Sequence, residues 1–152
     1  MRTPLFRLVP SAFAGALVLL AATTAAQTLT PHRVPKDHPI VGRWTYTVPD
    51  GSCTETYQFR SDGTSVVTSG DEIAETVFEI AAKPDADGFY KWSDELVKDN
   101  GKKDCAGEVT AVGKVVTNYI LFSPGGEELI ICAQQSLDAC FGPLERAQGT
   151  SI

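Results

Sequence analysis

Apolar residues recur at every second position along most of this chain, and clusters of turn residues separate the alternating segments. A period of two puts successive side chains on opposite faces of a β-strand, so each segment is predicted to be a half-buried strand. One face of the first two predicted strands carries mostly aromatic and aliphatic side chains: Ile40, Trp44, Tyr46 and Val48, then Cys53, Glu55, Tyr57 and Phe59. No segment shows a convincing helical stripe. The alternation therefore predicts an all-β fold.

Turn residues between these segments predict how the strands are connected. Pro49-Asp50-Gly51 and Ser61-Asp62-Gly63 favour hairpins between neighbouring strands, and Asn100-Gly101 is the strongest signal for a tight hairpin. The predicted strands span residues 40–48, 53–60, 64–68, 73–82, 89–97, 109–112, 115–122 and 128–133. A short helix over 93–98 is the alternative for part of the fifth segment. A short tail is expected after Phe141-Gly142-Pro143.

About eight short strands at hairpin spacing, without crossover helices, predict an antiparallel sheet. An even number of antiparallel strands can close on itself and leave no free edge. The first choice is therefore an antiparallel up-and-down β-barrel of about eight strands. A two-sheet β-sandwich is the alternative, because periodicity does not distinguish a closed sheet from two stacked sheets.

The first 26 residues have the pattern of a bacterial secretory signal peptide. Arg2 and Arg7 precede an apolar run over 12–22, and small residues at 24–26 offer a cleavage site before Gln27. The apolar run is too short to span a bilayer, and no cysteine follows the cleavage site to carry a lipid anchor. The mature protein is thus expected to be periplasmic or secreted, without a stable membrane anchor.

The rest of the chain divides into three predicted parts. Residues 27–38 carry Pro31 and Pro35 among polar residues and are expected to form a flexible leader. Residues 39–146 form the barrel domain, and residues 147–152 are expected to be a disordered tail.

The mature chain is acidic, which argues against partners that carry negative charge. Thirteen basic residues minus Arg2 and Arg7 leave eleven, against nineteen acidic residues, so the net charge is −8. Such a surface repels nucleic acids and anionic membranes. No nucleic-acid partner is expected.

Four cysteines, an even number in an exported chain, predict two disulfides. The favoured pairing joins Cys132 to Cys140 across a polar loop, which leaves Cys53 with Cys105; two other connectivities stay open. The loop-closure relation assigns about 4 kcal/mol to the long bridge and roughly 2.6 kcal/mol to the short one. A zinc site is the alternative, but the chain has no Cys-x-x-Cys spacing.

Gly42-x-Trp44, which opens the first strand after the leader, resembles the Gly-x-Trp element of lipocalins and of small lipocalin-like exported proteins. The strand pattern over 40–133 accompanies it. In that superfamily the tryptophan packs across one end of the barrel, and the barrel commonly holds a small, often apolar, ligand. The resemblance thus implies a lipocalin-like barrel that binds such a ligand.

The chain offers no recognisable catalytic arrangement. Its two histidines, His32 and His38, fall in or beside the expected leader, where nothing holds a base near a nucleophile. Asp85-x-Asp87-Gly88 resembles the start of a calcium loop but lacks the closing glutamate, so a plain turn is predicted. The sequence predicts a protein that is not an enzyme, with no cofactor and no metal site.

Glu55 stands apart from the other acidic residues, because the register of Tyr57 and Phe59 points it inward. An inward carboxylate needs a partner or becomes protonated. Glu72 has the same parity as Phe78 and is considered beside it, whereas Asp94-Glu95 and Glu127-Glu128 are interpreted as solvated positions near turns.

The sequence thus favours a non-enzymatic barrel that binds a small apolar or amphipathic molecule in the bacterial envelope. The predicted ligand wall consists of Trp44, Tyr46, Glu55, Tyr57 and Phe59. The alternative is a periplasmic protein-binding module, such as an inhibitor or an immunity protein, whose partner is an envelope protein. The oligomeric state is left open.

Overall fold

A computed structural model of the chain describes residues 28–147, and in it eight antiparallel strands form one closed barrel. Each strand pairs with its neighbours in sequence, and the last pairs with the first. The strands are β1 (Gly42–Thr47), β2 (Thr54–Phe59), β3 (Thr64–Ser69), β4 (Glu72–Ile80), β5 (Tyr90–Asp99), β6 (Val115–Phe122), β7 (Glu128–Cys132) and β8 (Cys140–Arg146). A single 3-10 turn, Leu137–Ala139, precedes β8. The predicted up-and-down barrel is confirmed, and the sandwich alternative is wrong.

The prediction of eight strands is confirmed, but one of the predicted strands is wrong. Residues 109–112 are not a strand; they lie in the connection between β5 and β6, where Asp104 Oδ1 accepts hydrogen bonds from the backbone N–H groups of Ala106 (2.9 Å) and Glu108 (2.8 Å). The predicted tight hairpin at Asn100-Gly101 is also wrong, because a long connection follows β5. The alternative helix over 93–98 is wrong because this segment lies within β5, which runs to Asp99.

The true eighth strand lies within the predicted barrel domain, but where no strand was predicted, and it runs into the short tail expected after Pro143. Cys140–Arg146 pairs with β7, with a register shift between Leu129 and Ile131, and with β1 through Trp44↔Arg146 and Thr45↔Glu145. A bulged strand tolerates Pro143, which has no backbone N–H to donate.

The two ends of the barrel differ. At the closed end, the connections 60–63, 81–89 and 123–127 lie near an apolar core. At the open end lie the connections 48–53, 70–71, 100–114 and 133–139. The core residues are mostly inward-facing aromatic and aliphatic side chains, including Trp44, Phe59, Phe78, Trp92, Ile120, Leu129 and Leu144. Phe59 meets the rings of Phe78 and Trp92 edge to face, at centroid distances of 5.3 and 5.8 Å.

Residues 32–41 cover the closed end, so residues 32–38 of the expected flexible leader are in fact packed. Val34 belongs to the core, and its N–H donates to Ser61 O at 2.9 Å. Gly63 has a φ of +84°, and a Cβ at this position would clash with His32 O, so the turn after β2 accepts only glycine beneath this segment. The pattern missed this packing because Val34 is one apolar residue among polar neighbours.

Both predicted disulfides are present, Cys53–Cys105 and Cys132–Cys140. The first fastens the 100–114 connection to the start of β2, and the second joins β7 to β8 across their turn. Two disulfides fit a non-reducing, extracytoplasmic environment.

Between residues 28 and 147, no helix has the length and apolar character needed to cross a membrane. The predicted signal peptide and residues 148–152 of the predicted tail lie outside the described residues; Ala147, assigned to that tail, donates its N–H to Arg43 O at 2.8 Å.

Candidate functional site

The five residues of the predicted ligand wall share the inner face of β1 and β2. Tyr46 lies opposite Glu55, and Trp44 lies opposite Tyr57 in the antiparallel register. Phe59 follows Tyr57 by two positions and therefore has the same inward orientation. The barrel nevertheless separates these residues along its axis, since Trp44 and Phe59 belong to the closed-end core while Tyr46 and Glu55 lie towards the open end.

Trp44 closes the barrel and does not line an accessible cavity. Its side chain is 0% exposed, and its Nε1–H donates to Ile40 O at 2.9 Å. The Arg146 guanidinium carbon lies 4.2 Å from the centre of the Trp44 ring, and the same guanidinium donates to Pro39 O at 2.6 Å and Val41 O at 3.2 Å. These contacts connect the first and last strands. Trp44 is thus a structural residue, and so is Phe59, which is also fully buried.

Glu55 is held by hydrogen bonds that the fold itself supplies. Its carboxylate accepts from Tyr57 Oη at 2.6 Å and from Ser69 Oγ at 2.7 Å. Ser69 Oγ in turn accepts the N–H of Cys105 at 2.9 Å, so the inner carboxylate is linked to the disulfide-bound connection. Burial, followed by the charge and hydrogen bond of Glu55, raises the pKa of the Tyr57 phenol well above its ordinary value. Tyr57 therefore stays protonated and donates to Glu55.

A cavity of about 220 Å³ lies inside the open half of the barrel, beside Glu55 but on different strands. Its apolar wall consists of Val67, Ala74, Leu96 and Val116, and its polar wall consists of Glu72, Thr76 and Asp94, with Thr110 and Lys114 from the β5–β6 connection and its end. A largely apolar cavity with a few polar groups is the usual composition of a small-molecule site.

Two carboxyl groups of this cavity have pKa values well above those of ordinary carboxyl groups. Glu72 is 7% exposed, and burial raises its pKa to about 7, with further contributions from Asp99, Asp104 and Glu55. Burial also raises the pKa of Asp94 to about 7, although its own backbone N–H and the charge of Lys114 oppose the shift. Both carboxyl groups thus titrate near neutral pH.

Within residues 28–147, two buried polar atoms without a hydrogen-bond partner are Asp94 Oδ1, in the wall of this cavity, and Trp92 Nε1, in the closed-end core. Buried polar groups in proteins are almost always hydrogen-bonded, because an unpaired group keeps its full desolvation cost. Asp94 lines the cavity, and Trp92 precedes it by one inward-facing position on β5. The wall of the cavity thus holds one unpaired acceptor, Asp94 Oδ1.

Other depressions lack these features. One of about 320 Å³ lies beside β1 and β8 and includes Tyr46, and one of about 250 Å³ lies between residues 32–38 and β4. The buried unpaired atoms belong to none of the residues that line them. The interior cavity is therefore the best candidate site.

Sequence analysis found part of this site. It weighed Glu72 beside Glu55, but it assigned Asp94-Glu95 to a solvated turn, which is wrong because both lie within β5. Glu95 is buried on the outer face of the barrel, where its Oε2 accepts the Leu29 N–H at 2.5 Å. The available signal was the alternation of Tyr90, Trp92 and Leu96, which gives Asp94 the same inward parity.

The remaining polar residues form local structure. Asp85 Oδ1 accepts from the N–H groups of Asp87 and Phe89, both at 2.9 Å, so this acidic segment is a turn. His38 is buried with both ring nitrogens bonded, since Nε2–H donates to Ala81 O (3.1 Å) and Nδ1 accepts the Ile40 N–H (3.2 Å). Within residues 28–147, no three acidic, histidine or cysteine side chains are grouped to hold a metal ion.

No protein-family model matches this chain, and no curated protein or solved structure matches it either.

Proposed function

We propose that this protein is an exported, lipocalin-like barrel without enzymatic activity that binds a small amphipathic molecule in the open half of its interior. The observation that carries this proposal is the interior cavity of about 220 Å³, where an apolar wall adjoins a buried carboxylate oxygen, Asp94 Oδ1, without a partner. A bound molecule that carries both apolar and polar groups would complete that environment.

The size of the cavity limits the ligand. Its volume of about 220 Å³ admits a small molecule rather than a long acyl chain. Trp44 contributes by closing the barrel, the role that the tryptophan has in lipocalins. Of the five predicted wall residues, Tyr46, Glu55 and Tyr57 remain near the open half, where Glu55 and Tyr57 are bonded to each other.

The proposal includes export to the periplasm or the medium. The two disulfides support it, as does the signal-peptide pattern of residues 1–26, which lie outside the described residues. Sequencing of the mature N-terminus after expression in a Gram-negative host is expected to begin at Gln27. Recovery with Met1 intact would contradict it.

Native mass spectrometry of the purified mature protein tests ligand binding. The expected result is an added mass that disappears on denaturation. Ala74→Leu adds bulk to the cavity wall and is expected to reduce the added mass, whereas Ile73→Leu, on the exposed neighbouring residue, leaves it unchanged. Wild-type protein without added mass, or equal loading of both variants, would contradict the proposal.

One observation favours a second candidate, a protein-binding module. The 100–114 connection is fastened by Cys53–Cys105 and exposes Val109 and Val112, at 54% and 59%. Exposed apolar side chains on a restrained loop are typical of inhibitor surfaces. Under this alternative, the purified protein is empty and binds one envelope protein, and Val109→Ser with Val112→Ser weakens that complex. Unchanged binding would exclude this loop as the contact.

A further inference from the structure

His38 links the segment that covers the closed end, residues 32–41, to the end of β4. Its side chain is 6% exposed, and its two ring nitrogens contact two different backbone groups. Nε2 lies 3.1 Å from Ala81 O, and Nδ1 lies 3.2 Å from the backbone nitrogen of Ile40. Ala81 directly follows β4 and donates its own N–H to Lys91 O at 2.9 Å, so it belongs to the barrel. The histidine ring thus fastens the covering segment to the sheet.

The two backbone partners determine the protonation state of this ring. A carbonyl oxygen only accepts a hydrogen bond and a backbone N–H only donates one, so Nε2 carries the proton and Nδ1 does not. Neutral imidazole meets both requirements, whereas imidazolium is a donor at both nitrogens. Protonation would therefore set an N–H at Nδ1 against the N–H of Ile40, and that hydrogen bond would be lost.

The bond at Nδ1 belongs to a relay that ends at the tryptophan closing the barrel. Ile40 is fully buried, donates its N–H to His38 and accepts the Nε1–H of Trp44 at 2.9 Å. The His38 ring also meets Tyr90 edge to face, at a centroid distance of 5.2 Å. Loss of the Nδ1 bond therefore disturbs Ile40 at the centre of the closed end, and with it the contact between the covering segment and the barrel.

The surroundings of His38 oppose a positive charge but leave a route for a proton. Burial lowers the pKa of His38 below its ordinary value, while the hydrogen bond to Ala81 O and the charge of Asp37 act more weakly in the other direction. A cavity of about 250 Å³ between residues 32–38 and β4 reaches the ring, so solvent has access to it. The other titratable or charged groups that face the ring and this cavity are His32, Arg33, Glu79 and Tyr90.

We infer that His38 is an acid-sensitive latch, whose neutral ring holds residues 32–41 over the closed end and whose protonation releases them. Because folding lowers the pKa of His38, its contribution to the docked state is fully present above the ordinary histidine value of about 6.5. That contribution is lost as the pH falls through the lowered pKa. Release would uncover the core residues Val34 and Ile40. The latch works independently of what the open half binds, and in the opposite sense to the buried carboxyl groups there, which acid favours.

Nitrogen-15 chemical shifts of the histidine rings in the mature protein test the protonation state, because they distinguish a protonated ring nitrogen from an unprotonated one. At pH 7.5, we expect His38 to carry its proton on Nε2 and none on Nδ1. Between pH 7.5 and pH 4.5, we expect the ring to titrate below the ordinary histidine value of about 6.5. A proton on Nδ1 at pH 7.5, or titration at or above the ordinary value, would overturn the inference.

Hydrogen exchange of the same protein measures the release itself. The reporters are the N–H of Val34, which donates to Ser61 O, and the N–H of Ile40, which donates to His38. After correction for the intrinsic effect of pH on exchange, their protection is expected to fall at least about fivefold between pH 7.5 and pH 5, the factor that corresponds to one ordinary hydrogen bond. Amides in the middle of β6 serve as the reference and should show no such fall. Equal protection of the reporters at both pH values would contradict the latch.

Variants assign the pH dependence to His38. His38→Asn keeps an acceptor for the Ile40 N–H, His38→Gln keeps a donor for Ala81 O, and neither side chain ionises. Both are expected to lose the fall in protection between pH 7.5 and pH 5, whatever their protection at pH 7.5. His32→Gln removes an exposed histidine from the same segment and is the matched control, in which the fall should persist. A fall as large in the His38 variants as in the wild type would overturn the inference, and if neither variant folds, the ring shifts and the wild-type exchange decide it.

Discussion

Acidic solutions should stabilise this protein through Asp94, in contrast to the behaviour of most paired carboxylates. Burial raises the pKa of Asp94 to about 7 in the folded protein, and an unfolded aspartate has a pKa near 3.9. A group whose pKa is raised on folding contributes full stability below its unfolded pKa. That contribution is lost as the pH rises through the folded pKa. The window of loss therefore extends from about pH 4 to about pH 7.

The size of the effect follows from the two pKa values. A difference of about three units corresponds to about 4 kcal/mol between pH 4 and pH 8, because each unit corresponds to about 1.4 kcal/mol. Within the window, the free energy of unfolding should fall by up to about 1.4 kcal/mol per pH unit from this one group. Glu72, whose pKa is also raised to about 7, acts in the same direction.

Asp94→Asn isolates this contribution, since asparagine resembles the protonated acid and does not ionise. We expect the variant to be more stable than the wild type by a few kcal/mol at pH 8 and about equal to it at pH 4. Urea unfolding at five pH values between 4 and 8, followed by tryptophan fluorescence, measures the difference. Glu79→Gln, on the exposed face, should show no such trend. A difference between Asp94→Asn and the wild type that stays constant over this pH range would refute the reasoning.

Three further predictions concern the closed end and the bridges. Arg146→Met removes the guanidinium that lies above Trp44 and donates to the carbonyls of Pro39 and Val41, so a loss of about 2–4 kcal/mol is expected in urea unfolding, whereas exposed Arg43→Met should cost little. Gly63→Ala places a Cβ against His32 O at a φ of +84°; the backbone conformation alone costs about 1–2 kcal/mol, and faster hydrogen exchange at Val34 N–H would report loss of the packed segment. Replacing both Cys53 and Cys105 by alanine should lower stability by about 4 kcal/mol, against roughly 2.6 kcal/mol for the Cys132–Cys140 pair, and equal losses from the two pairs would contradict the loop-closure argument.

The parts of the fold that sequence predicts well are those governed by local geometry. The inward parity of Tyr46 and Glu55 follows from the pleat of each strand, and the turns after β1 and β2 are marked by Asp-Gly pairs. By contrast, β8 is defined by its pairing with β1 about 100 residues earlier, as the contact of Thr45 Oγ1 with Glu145 O illustrates at a separation of 100 residues. No local pattern reports such closure, and Pro143 argues locally against a strand.

The candidate site was harder to predict for the same reason. Asp94 and Glu95 are adjacent charged residues, a pattern that is typical of solvent-exposed segments. Glu95 is buried and Asp94 partly buried because distant segments cover them: the Leu29 N–H, 66 residues away, bonds Glu95 on the outer face, and the β5–β6 connection reaches over the inner cavity that Asp94 lines. Burial of a charged residue is a property of the assembled barrel, so its sequence signal is weak.

The distribution of satisfied and unsatisfied polar groups connects the stability of this barrel to its proposed function. At the closed end, the buried polar groups of Trp44 and His38 have partners, and Arg146 joins three backbone carbonyls. In the wall of the open-end cavity, Asp94 keeps a buried oxygen without a donor. Replacement of a buried, unpaired charge by an uncharged side chain of similar volume is often stabilising. Under the proposed function, this unpaired oxygen beside free volume is available to a ligand, so the same carboxyl group that costs stability at high pH supplies a polar contact for binding.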